Sequence, residues 1–170
     1  AGCLEILERE KCTLVGGHSS EGGEPAFGLS VNGVVNPLQV FRKGPLSPGD
    51  VIVLTKALGT GTLLAADMRS KAKGMWVKSA IESMIQTNKD AAKILHDFGC
   101  TACADVTGFG FLGHLLEMLK FKPKEEHDQV LVGCQAATIN LESVPALLGA
   151  KECVEAGIFS TLQPENIRCS

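Results

Sequence analysis

Apolar and polar positions along this chain follow two different periods, and the period changes from segment to segment. Residues 2–11 set Leu4, Ile6 and Leu7 among Glu5, Glu8, Arg9, Glu10 and Lys11, which predicts a short helix. Cys12 to Val15 predicts a buried strand ending at Gly16-Gly17. His18 to Pro25 carries Ser19, Ser20, Gly22 and Gly23 and predicts a loop. Phe27, Leu29, Val31, Gly33 and Val35 then recur at every second position, the mark of a strand with one buried face. Gly28 and Gly33 within it point to a bulge or a tight contact.

Val51 to Leu54 is a continuous apolar run, which predicts a strand buried on both faces. Helical spacing returns at Leu63 to Ala66, and again over 76–86 through Trp76, Val77, Ala80, Ile81, Met84 and Ile85. Asn88-Lys89-Asp90 breaks that pattern and can cap a further helix with Ala91, Ile94, Leu95 and Phe98, stopped by Gly99. A helix to about Phe121, a charged loop over 122–128 and a short strand over 129–133 follow. Short helices are predicted over Val144 to Leu148 and Glu152 to Ala156.

Two prolines and two glycines in Lys43 to Asp50 punctuate the chain most clearly, and the domain boundary is placed there. Strands alternating with helices after it argue for a mixed α/β domain. The chain opens without Met in an apparent helix. It stops at Arg168-Cys169-Ser170 with no obvious closing element, as expected of a piece of something longer.

Composition narrows the classes of function. With 45% hydrophobic and 21% charged residues, the chain of 170 can bury a core. A net charge of −3 leaves no basic footprint for nucleic acid, and scarce aromatics (5%, one Trp, no Tyr) leave no base-stacking platform. No apolar run reaches the length of a membrane span, and the first residues lack the basic-then-apolar pattern of a signal peptide. An odd count of seven scattered cysteines predicts reduced thiols and a cytoplasmic setting. Cys100 and Cys103 form a lone CxxC with no second pair to complete a zinc site. Two packed thiols or a redox pair both fit it.

The chemistry concentrates in Asp105-Val106-Thr107-Gly108-Phe109-Gly110-Phe111-Leu112-Gly113-His114, with one carboxylate, one hydroxyl and three glycines. A flexible turn running into a helix start can offer backbone N–H groups to an anion, and Asp105 can hold a hard cation such as Mg²⁺. The same residues also fit a simple N-cap and turn. Gly16-Gly17-His18-Ser19-Ser20 after a strand can wrap a phosphate or serve as a strand-end turn. Thr55 to Thr62 is not a P-loop, because Lys56 precedes both glycines; Lys56 reads as a solvated charge. His96 suits a helix C-terminus, and His114 reads as a capping or packing residue. None of the four histidines has a carboxylate or Cys partner at a spacing that compels a metal site or triad, and the pair Glu125-Glu126 reads as a solvated loop.

Four stretches, taken together, resemble selenophosphate synthetases. They are Val15 to Ser19 with Glu24 to Val35, Pro48 to Gly61, Ala104 to His114 and, more weakly, Val144 to Leu147. The third stretch also occurs, in looser form, in the wider superfamily of aminoimidazole ribonucleotide synthetase-like enzymes. The resemblance implies a two-domain α/β (α+β) architecture. Residues 1–42 would be the last part of a dimerising, ATP-binding N-terminal domain, 43–50 a linker, and 51–170 an incomplete C-terminal α/β domain. It implies that ATP, selenide and water become selenophosphate, AMP and phosphate in a homodimer that uses Mg²⁺. On the matching positions it implies nucleotide contacts at Gly17, His18 and Ser19 and a metal ligand at Asp105. The family's reactive Cys or selenocysteine and its essential Lys lie in a glycine-rich stretch this chain does not contain, so no catalytic residue is assigned here and the chain alone is expected to be inactive. The competing expectation is a non-catalytic paralogue of the same fold, acting through interaction or regulation.

Overall fold

The structure, a computed structural model, describes residues 2–100, 102–121 and 136–169. Among these residues the helices are α1 (Gly2–Arg9), α2 (Thr60–Met68), α3 (Gly74–Ile85), α4 (Lys89–Asp97), α5 (Gly110–Leu119), α6 (Ala150–Glu155) and α7 (Gln163–Cys169). Short 3-10 turns form at Pro37–Gln39 and Leu141–Ser143. The chain divides into two compact units, residues 1–39 and 40–170.

In the first unit, α1 follows its predicted pattern and stops in a Schellman turn. Cys12 N–H bonds to Leu7 C=O at 2.8 Å and Lys11 N–H to Glu8 C=O at 3.1 Å, with Lys11 in the left-handed region at φ 56°. The strands predicted over 12–15 and 27–35 do not form. Their apolar side chains stand in the open: Val15 is 93% exposed and Phe27 80%. A helix closes its hydrogen bonds within itself, but a strand needs a neighbour for every other N–H and C=O. Among the described residues no such neighbour runs alongside, so the period-2 pattern is left without a ladder.

In the second unit the core gathers on α2. Leu63, Ala66, Ala80, Ala150 and Cys153 are buried together, and Trp76, Leu147, Ala72 and Ile158 pack around them. Alanines at facing positions let α3 and α6 come close to α2. Gly59 allows the same at the α2 entry: a Cβ there would lie 2.5 Å from the Ala150 Cβ, and its φ is +124°. Three helices in this unit end in Schellman turns, α2 through Ser70 (φ 53°), α4 through Gly99 (φ 68°) and α6 through Gly157 (φ 74°). Gly99 is thus the stop that the sequence predicts. Asn88 takes the N-cap position of α4, but its side chain makes no capping bond.

Three further expectations are corrected here. Val51 to Leu54 forms no strand, and Val51 is 85% exposed; among the described residues no partner runs beside it. Val144 to Leu148 forms no helix: Val144 is extended, Ala146 lies in a bridge and Leu148 in a turn. Pro145 disfavours helix at the preceding residue. Leu58 instead offers a parallel bridge to Ala146, with Leu58 N–H on Pro145 C=O at 2.9 Å and Leu147 N–H on Leu58 C=O at 2.8 Å. The C-terminal stretch, with no element predicted, forms α7. Its start is prepared by Ser160, whose Oγ accepts from Leu162 N–H at 3.3 Å, and by Pro164 in the first turn, where a missing N–H costs nothing. The strand predicted over 129–133 and the loop over 122–128, with Glu125, Glu126 and His127, lie outside the described residues. So does Cys134.

Candidate functional site

The turn carrying Asp105 is built by contacts far apart in sequence. Arg42 and Ala102 form a parallel bridge, and Cys103 N–H bonds to Arg42 C=O at 2.8 Å. From this bridge the backbone runs, outside any helix or strand, through Asp105 into a turn over Thr107–Gly110, closed by Gly110 N–H on Thr107 C=O at 3.0 Å. Gly110 adopts φ +74°, a left-handed conformation that glycine enters without strain. Helix α5 begins there with Phe109 as N-cap and no side-chain cap. The capping reading of Asp105 and Thr107 is therefore not realised.

The Asp105 carboxylate is exposed and has no hydrogen-bond or salt-bridge partner among the described residues. Such a carboxylate fits a hard cation, which prefers charged oxygen. No group of three or more His, Cys, Asp or Glu converges on one point among the described residues. A cation on Asp105 therefore needs its other oxygens from phosphate, water or residues beyond these. Nearby Cys103 is a half-buried free thiol, as is Cys100. Burial, then the neighbouring Cys100 and Asp105, push the Cys103 thiol above its usual range.

His114 is the hub beneath the turn. It is only 7% exposed, and both ring nitrogens are engaged. The Thr107 backbone N–H (3.1 Å) and hydroxyl (3.0 Å) converge on Nε2. A backbone N–H can only donate, so Nε2 is the acceptor and Nδ1 carries the proton. Nδ1 donates to Glu117 Oε2 at 3.2 Å, and the same oxygen accepts from Lys43 Nζ at 2.7 Å. Lys43, and then His114, hold the Glu117 carboxyl below its ordinary range. Phe109 meets the His114 ring edge-on at 5.9 Å. On the other flank Asn166 Nδ2 donates to Gly108 C=O at 2.9 Å, and a Cβ on Gly108 would lie 2.5 Å from Leu162 Cδ1.

The sequence points to Asp105 and its turn but gives His114 only a capping or packing role. The His114–Glu117 spacing on one helical face was the available signal. Nothing local could reveal Lys43 or Asn166, whose partners lie 74 and 58 residues away. Gly17, His18 and Ser19 are exposed in the other unit, outside any helix or strand, with no atom within 4 Å of a Cβ on Gly17. Lys56 is not a free solvated charge: its Nζ donates to the Gln86 carbonyl at the end of α3. His96 sits in the last turn of α4, as predicted. No helix among the described residues is long and apolar enough to cross a membrane.

With the site in view, comparison with known proteins gives its class. Residues 47–125, which include the Asp105 turn, match the family of AIR synthase related proteins, C-terminal domain. The fold is thus AIR synthase-like, an α/β class of which this helix-rich segment is a part. Within that class the chain is a selenophosphate synthetase-like segment. It is 39% identical over 154 residues to a selenide, water dikinase of Agathobacter rectalis, covering 91% of this chain and 42% of that protein. The namesake from Clostridioides difficile is 35% identical over 160 residues, covering 93% of this chain and 42% of that protein. The one from Pelobacter propionicus is 42% identical over 118 residues, covering 69% of this chain and 34% of its own. The chain spans about two fifths of the first of these relatives. No solved structure matches it.

Proposed function

We propose that this chain belongs to an enzyme that converts ATP, selenide and water into selenophosphate, AMP and phosphate, and that the Asp105 turn holds a magnesium ion serving the phosphates. The observation that carries this reading is the exposed carboxylate of Asp105, without a partner among the described residues, on a glycine-rich turn within the segment that matches the AIR synthase-related domain. Magnesium, when bound, neutralises the charge that builds on phosphate oxygens as phosphoanhydrides break. Asp105 supplies one anionic oxygen to it. Gly17, His18 and Ser19 are assigned to the nucleotide, the glycine by close backbone approach and the other two as hydrogen-bonding groups.

Residues 1–42 are assigned to an ATP-binding, dimerising domain, 43–50 to a linker and 51–170 to the C-terminal domain. A homodimer in the cytoplasm is part of the same reading. The exposed period-2 segment from Phe27 to Val35 supports it, because its backbone and apolar face call for partner strands. No residue of this chain is assigned the covalent chemistry, so the chain alone is expected to be inactive.

AMP release from ATP, Mg²⁺ and selenide by the full-length protein tests the reading. Selenide-dependent AMP is expected from wild type, with a fall of roughly a hundred-fold or more in Asp105→Asn. A well-folded wild type that releases no selenide-dependent AMP would refute the activity and favour a non-catalytic role for the fold.

A further inference from the structure

We infer that His114 and Asn166 are positioning residues that hold the glycine-rich turn in the one conformation that presents Asp105. The inference rests on the proposed metal role of Asp105 and adds to it how the ligand is kept in place. A turn with Gly108 and Gly110 is conformationally free, yet a metal ligand must be fixed to within about half an ångström to be useful. The two anchors act on consecutive residues. His114 Nε2 takes the Thr107 N–H, and Asn166 Nδ2 gives to the Gly108 carbonyl.

His114 is committed to this task. With Nε2 on Thr107 and Nδ1 on Glu117, neither nitrogen is available to a ligand or a proton in transit. Glu117 is itself held by Lys43, so the chain Lys43–Glu117–His114–Thr107 ties the segment before Gly44 to the turn. Asn166 reaches the turn from α7, through the α5–α7 packing that also sets Leu162 against Gly108. Each anchor uses a side chain on a helix, the more rigid kind of support.

The test compares His114→Leu, His114→Gln and Asn166→Leu in the full-length protein by amide hydrogen exchange and by magnesium titration of AMP release. Glutamine keeps an acceptor for Thr107 N–H; leucine does not. The leucine variants are expected to speed exchange of the 105–110 amides roughly three- to ten-fold while core amides keep their protection. They should also raise the magnesium concentration for half-maximal activity more than they lower kcat. His114→Gln should restore most of both. Unchanged exchange in both leucine variants would overturn the inference, as would a loosened turn with an unmoved magnesium requirement. If Asp105→Asn shifts the magnesium requirement and the leucine variants do not, only the anchors fall. If Asp105→Asn leaves it unmoved, the metal role falls and takes the purpose of the anchors with it. Should His114→Leu fail to fold, Asn166→Leu at its half-buried position carries the test.

Discussion

Gly149 is the position where a single methyl group should disturb the fold most. It precedes α6 with φ +85°, and a Cβ there would overlap the indole of Trp76. Two costs combine in Gly149→Ala. A left-handed conformation costs an L-residue about 1–2 kcal/mol. Forcing an extra carbon into a packed core adds about 1–3 kcal/mol. Trp76 cannot swing away freely, since it packs on the cluster of Leu63, Ala66 and Ala150, with Lys73 Nζ 4.9 Å from its ring centroid. The expected loss is therefore roughly 2–5 kcal/mol. Gly157→Ala is the control: φ is +74° there too, but nothing lies within 4 Å, so only the backbone cost of about 1–2 kcal/mol applies. Urea unfolding followed by circular dichroism gives both values. In a double-mutant cycle with Trp76→Ala, the pair should cost less than the sum, because the smaller side chain vacates the space the methyl needs. If Gly149→Ala costs no more than Gly157→Ala, or the cycle shows no coupling, the indole contact is not what makes glycine necessary.

Ser70→Gly should stabilise the protein by up to about 1 kcal/mol, because Ser70 ends α2 at φ 53° and glycine relieves that strain; a higher urea midpoint would show it. Lys56→Met should cost about 1 kcal/mol in thermal unfolding by removing a charge-assisted bond to the carbonyl of Gln86, the residue that follows α3, while keeping the apolar stem. Glu117→Gln should flatten the acid side of the stability profile. The folded carboxyl titrates below its ordinary value of 4.5, so the unfolded chain binds more protons between those two points. The contribution of Glu117 is then present above about pH 4.5 and is lost as pH falls through the lower, folded value. Urea midpoints from pH 3 to 6 should show a small gap between wild type and variant that opens as pH rises and then levels off.

Most helices were legible in the sequence because their information is local. The spacing of Trp76, Val77, Ala80 and Ile81 is enough for α3, and Gly99 after Phe98 is enough to stop α4. The strands over 12–15, 27–35 and 51–54 were legible only as a pattern. Alternation says which face would be buried, but the hydrogen bonds of a strand belong to another segment, and none lies alongside among the described residues. The stretch around Pro145 went the other way: it takes an extended form because Leu58, distant in sequence, offers it a bridge.

The site divides along the same line. Asp105, its glycines and the likeness to selenophosphate synthetases follow from the order of residues alone, since carboxylate, hydroxyl and glycine have their chemistry wherever they stand. What holds the turn does not. His114 becomes its hub only because α5 folds back beneath Thr107. Lys43 and Asn166 join it from remote parts of the chain, and Gly149 is obligatory only because Trp76 fills the space beside it. The sequence by itself determined which groups could do chemistry and which segments turn in helices; tertiary packing decided which groups meet, because contacts between distant residues depend on where the backbone brings them and leave no local pattern to read.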